Sequence, residues 1–87
     1  MEKFICKYYS GGGTEYDGGI WEKKETSKTI RFTLIEKSFW RTDWDSLLIN
    51  KDETKNKRHC LKDWKDGTYT IYPDCCGTPY VFKPITN

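Results

Sequence analysis

The stretch "KTIRFTLIEKSFW", residues 28–40, decides the class of fold. Ile30, Phe32 and Leu34 alternate with Arg31 and Thr33, so in an extended chain the three apolar side chains share one face and the polar ones take the other. That period of two is the mark of a strand packed on one side. At Leu34 and Ile35 two apolar residues stand side by side and the alternation changes phase, which marks a bulge or a bend. The stretch is expected to be the central strand of a sheet that kinks as a small barrel does.

Working outward, "KFICKYY" (3–9) repeats the pattern, with Phe4, Cys6 and Tyr8 on one face and Ile5, Lys7 and Tyr9 on the other. It is the expected first strand. "SGGGTEYDGG" (10–19) has five glycines in ten residues and reads as a long, flexible hairpin loop in which Tyr16 is the natural recognition anchor. No Gly-Lys-Ser/Thr follows it and no G-x-G-x-x-G opens a helix, so it lacks the phosphate-cradling pattern. "GIWEKKE" (19–25) reads as an outer strand with Trp21 turned inward and its charges outward.

Downstream, "TYTIY" and "PYVF" form a terminal hairpin around "DCCG", whose Asp and Gly fit the first and fourth positions of a type I turn. Pro73 and Pro79 flank the turn, as proline must when it cannot donate to a ladder. Between the two regions, Thr42 is a candidate helix cap with Trp44, Leu47 and Leu48 at helical spacing, although "SLLIN" fits a strand as well. Residues 52–66 carry acidic residues first and basic residues later, the order a helix dipole favours, with a strand at 57–64 as the alternative. The fold expected is therefore mainly β: a small antiparallel five-stranded sheet or SH3- or OB-like barrel, with one short helix in 42–64 and α+β as the alternative class. Residues 1–87 form one small domain in this reading.

Composition agrees. A chain of 87 residues buries only roughly 60–65% of its unfolded surface, but 16% aromatics supply large side chains for a compact core. Alanine is absent while β-branched and aromatic residues abound, which again favours strands over helices. Twelve lysines against three arginines, with no alanine, follow AT-rich codon usage and suggest a low-GC bacterium or one of its phages or mobile elements. The phrases "DGTYTIYP" (66–73) and "GTPYVF" (77–82) resemble those of short proteins from such sources. No run reaches the ~18–20 apolar residues of a membrane-spanning helix. The opening residues also lack the apolar run of ~7–15 residues of a secretory signal, so a cytoplasmic protein with free thiols is expected.

The chemistry-bearing residues are few. Adjacent Cys75 and Cys76 are too close for a relaxed disulfide, since neighbouring Cα atoms are about 3.8 Å apart and disulfides prefer roughly 4.4–6.8 Å. They also lack the C-x₂₋₄-C spacing of a zinc pair, even with Cys6, His59 and Cys60 as further ligands, so neither metal nor cofactor is expected. His59 is the only histidine, and none of the thirteen carboxylates stands out as half of an acid–base pair, so the chain is not expected to be an enzyme. Two binding readings remain. The first is a non-catalytic accessory module that holds a protein partner through aromatic anchors at Tyr16, Trp21 and Tyr80. The alternative is a nucleic-acid-binding barrel. Residues 1–50 and 67–87 each sum to zero charge, and the net +2 lies in 51–66, where Lys55, Lys57, Arg58 and Lys62 surround His59 near Trp64.

Overall fold

The computed structural model describes residues 2–40, 44–52, 60–62, 66–72 and 79–85, with 60–62 described by their backbone. These residues form seven strands: β1 (Glu2–Tyr9), β2 (Glu15–Glu25), β3 (Thr29–Glu36), β4 (Ser46–Asn50), β5 (Cys60–Lys62), β6 (Tyr69–Ile71) and β7 (Tyr80–Pro84). All pair antiparallel in one sheet of order β4-β3-β2-β1-β7-β6-β5, curled into a half-barrel. The class is mainly β. Among the described residues there is no helix, and therefore none long and apolar enough to cross a membrane.

Three expectations are corrected by this topology. The centre of the sheet is β1, paired with β2 and β7, because its two flanking hairpins fold back on either side of it. β3 lies one strand from the edge. β2 is an interior strand that starts at Glu15, so the glycine-rich connection shrinks to a turn at 10–14, closed by hydrogen bonds from Gly13 N–H to Ser10 O and from Ser10 N–H to Thr14 O, each 2.9 Å. The helix expected within 42–64 gives way to β4 and β5 among the described residues there. Leu47 and Ile49 face inward opposite Phe32 and Ile30, and this burial outweighs the helical spacing of Trp44, Leu47 and Leu48. The "DCCG" turn lies outside the described residues, although its flanking strands β6 and β7 do pair.

The alternation read from the sequence sets the core. Phe4 and Cys6 of β1, Trp21 of β2, Ile30 and Phe32 of β3, Leu47 and Ile49 of β4, Tyr69 and Ile71 of β6, and Tyr80 and Phe82 of β7 are buried on one inner face. Phe32 is the hub, stacked on Phe82 at 4.4 Å between centroids and edge-on to Phe4 at 5.2 Å and Tyr69 at 5.3 Å. Offset-stacked and edge-to-face rings add to what their buried area already contributes.

The phase slip expected at Leu34–Ile35 is a bulge: Trp21 opposes Leu34 but Ile20 opposes Glu36, so Ile35 is the extra residue. A second bulge sits in β2, where Lys7 opposes Asp17 and Ile5 opposes Ile20, leaving Gly18 and Gly19 opposite Cys6. Glycine is required at both positions. A Cβ on Gly18 would lie 2.7 Å from Cys6 Sγ, while Gly19 has φ +90° and a Cβ there would lie 2.5 Å from the Glu36 carbonyl oxygen. The bulge also frees the Gly18 carbonyl to accept the Trp21 indole N–H at 2.8 Å, which satisfies that buried donor.

Candidate functional site

The inner face ends differently at the two ends of the strands. At the Glu2 end of β1 it is capped by charge. Lys23, on the same side of β2 as Trp21, places its Nζ 5.7 Å from the Phe4 ring centre and 5.4 Å from that of Tyr69. Its head group pairs with Glu2 at 3.0 Å and Glu25 at 3.2 Å, and Glu25 in turn pairs with Lys51 at 2.7 Å. Burial pulls the Lys23 ammonium down, but the hydrogen bonds it donates to Glu2 and Glu25 outweigh that and hold its pKa above the usual value. The hydrogen bond from Lys51 holds the Glu25 carboxyl below its usual value.

Six residues along β1 from Glu2, or about 20 Å at strand rise, lies Tyr8. There the inner face continues as a row of rings. Tyr80 of β7, Tyr8 of β1 and Tyr16 of β2 are direct cross-strand partners, with stacked rings 5.4 and 5.3 Å apart. Tyr16 meets Trp40 edge-on at 5.2 Å, and Trp40 meets Phe39 edge-on at 5.3 Å. The row runs outward: Tyr80 is 5% exposed, Trp40 49% and Phe39 92%.

The outer rungs are held by the β2 bulge. Ser38 Oγ donates to the Asp17 carbonyl at 2.6 Å and accepts the Trp40 N–H at 3.2 Å, tying the loop after β3 to the start of β2. The Asp17 carboxylate accepts the Gly19 N–H at 2.9 Å, which fixes the backbone beside it. Tyr9, on the opposite face, donates to Glu15 at 2.8 Å, a bond that raises its phenol pKa. The ladder thus stands on hydrogen-bonded strands. It can take a flat or apolar group against its last rings. Burial first, then the nearby Asp17 charge, pushes the Cys6 thiol far above its ordinary value, so it stays protonated and inert.

Of the expected protein-binding residues, Tyr16 stands in the ladder, Tyr80 forms its buried base, and Trp21 is 0% exposed, edge-on to Phe82. Trp21 and Tyr80 both follow the inward alternation of their strands, and their rings pack in the core. Phe39 and Trp40 are the exposed rings at the outer end of the row. The sequence hides them because "SFW" reads as the tail of a strand, whereas β3 ends at Glu36, just after the bulge at Ile35. Lys55, Lys57, Arg58, His59, Trp64, Cys75 and Cys76 lie outside the described residues, and Lys62 ends β5. Among the described residues no group of three or more potential metal ligands converges. No protein-family model, curated protein or solved structure matches the chain.

Proposed function

We propose that the chain is a non-catalytic protein-binding module, an accessory factor in the cytoplasm of a low-GC bacterium, its phage or a mobile element. In this reading Tyr16, Trp40 and Phe39 receive an apolar surface of the partner. One observation carries it: a continuous ring stack that starts in the core at Tyr80 and ends at a Phe39 left 92% exposed. Large rings are the side chains that most often dominate interface energetics. Rings already held by neighbouring rings lose little freedom on binding, so more of the contact energy survives as affinity.

A second reading is favoured by the register of β5. Cys60, which follows the basic stretch 55–58 in the sequence, pairs with Ile71, and Ile71 pairs with Tyr80. The strand after the cationic stretch thus enters the sheet in the same row as Tyr80, Tyr8 and Tyr16, and a chain that carries both aromatic rings and a run of cations has the two kinds of group that hold a single-stranded nucleic acid.

Affinity capture from host lysate separates the two readings, with and without nuclease and at low and high salt. A protein retained through nuclease and salt, and lost when Phe39 and Trp40 are both changed to Ser, supports the protein-binding module. Retention abolished by nuclease, and falling steeply with salt, replaces it with the nucleic-acid reading.

A further inference from the structure

Among the described residues β4 is an outer edge of the sheet, and its free side is self-complementary. Leu34 N–H donates to the Asp45 carbonyl and Lys51 N–H to the Lys28 carbonyl, each at 2.9 Å. Antiparallel pairing alternates, so Asp45, Leu47, Ile49 and Lys51 turn their backbone groups toward β3, whereas Ser46, Leu48 and Asn50 turn theirs outward. Sheet edges are usually blunted by a charge, a proline or a bulge. Ser46–Asn50 reads SLLIN and has none of these, and Leu48 is 54% exposed on the outer face.

We propose that β4 pairs antiparallel with the β4 of a second copy about a two-fold axis at Leu48, joining the two curled sheets into one. In that register Leu48 faces the partner's Leu48, and Ser46 faces the partner's Asn50. The outward backbone groups of all three residues meet outward groups of the other copy. One step beyond each end of the strand, Asp45 faces the partner's Lys51, and symmetry supplies this opposite-charge pair twice. Asp45 and Lys51 share the side of the strand that holds Leu47 and Ile49, so their side chains meet on one face. The Lys51 ammonium already pairs with Glu25 at 2.7 Å, and its three donors allow it to bridge to a second carboxylate. A slip by one residue sets outward groups against inward ones, and a slip by two separates Asp45 from Lys51. One strand pair is a small interface, so the dimer is reversible.

Sedimentation velocity across a concentration series up to millimolar tests the proposal on the whole chain. The wild type is expected to show a monomer–dimer equilibrium. Leu48→Lys, which sets like charges together at the axis, weakens it by at least about tenfold while circular dichroism and melting temperature hold. Asp45→Lys and Lys51→Asp each weaken the dimer, and the double exchange Asp45→Lys/Lys51→Asp restores it. A wild type monomeric throughout, a dimer indifferent to Leu48→Lys, or a double exchange no better than the single ones would overturn the pairing.

Discussion

At one end of the curled sheet the inner face stops beneath Lys23; at the other it runs on through Tyr80, Tyr8 and Tyr16 to Trp40 and Phe39. Both ends solve the same problem, since a small sheet rolled around large rings must finish its apolar face somewhere. The lysine solution is self-contained. The Lys23 ammonium lies over the Phe4 and Tyr69 rings and is matched by Glu2 and Glu25. The ring solution covers each aromatic with another, so the last one has nothing over it. A charged cap ends a core, whereas an aromatic ladder carries it to the surface.

The largest expected effect comes from the hub of the core that lies between the two ends. Phe32→Ala should cost about 3–5 kcal/mol in urea unfolding, because Phe32 touches Phe4 and Tyr69 under the lysine and also Phe82. A loss below about 1 kcal/mol would mean that Phe32 is not the hub of the core. Next comes Gly19→Ala, expected to cost about 2–3 kcal/mol from the strained φ and the backbone contact with Glu36. Because the same bulge holds Ser38 and Trp40, this variant should also broaden the Trp40 indole resonance while Glu2–Lys23 contacts persist in nuclear magnetic resonance spectra.

The charged end should respond to pH on both sides of neutrality, and to salt. Glu25 titrates below its usual 4.5 in the folded chain, so its contribution is full above that value and is lost as pH falls through the lower folded one. Lys23 titrates above its usual 10.5, so its contribution is full below that value and disappears as pH rises through the higher folded one. Melting temperature against pH should therefore fall on both limbs, with Glu25→Gln softening the acid limb and Lys23→Met the alkaline one. At neutral pH Lys23→Met should cost about 1 kcal/mol, and less in high salt. Smallest of all for stability is Phe39→Ser, expected within about 0.5 kcal/mol of the wild type because the ring is 92% exposed. If that variant melts much lower, Phe39 is part of the fold and not a docking ring.

Much of this architecture was legible in the alternation. Phe4, Cys6 and Tyr8, then Ile30, Phe32 and Leu34, share a face in the sequence and in the sheet, and the adjacent Leu34 and Ile35 announced the bulge. β4 was harder to read because five residues are too few to tell a period of two from one of 3.6, and only the pairing of Leu47 with Phe32 and Ile49 with Ile30 decides between them. The start of β2 is hidden in the sequence because glycine suggests a turn, whereas here two glycines make room for Cys6 and the Glu36 carbonyl inside a continuous strand. The ladder was half legible. Tyr16 could be singled out, but its neighbours depend on cross-strand register with Tyr8 and on the Ser38–Asp17 bond, which no local pattern encodes.

The indole bond inside the β2 bulge has a kinetic consequence. A hairpin zipping up between β1 and β2 can start in several alignments, and those off by one residue turn every inward side chain outward. The Trp21 N–H finds the Gly18 carbonyl at 2.8 Å where Gly18 and Gly19 stand across from Cys6. Donor and acceptor both lie on β2, so the bond favours the bulge itself, and the bulge opposite Cys6 is what sets the alignment with β1. Replacing Trp21 with Phe should leave collapse fast while slowing the final annealing of the sheet.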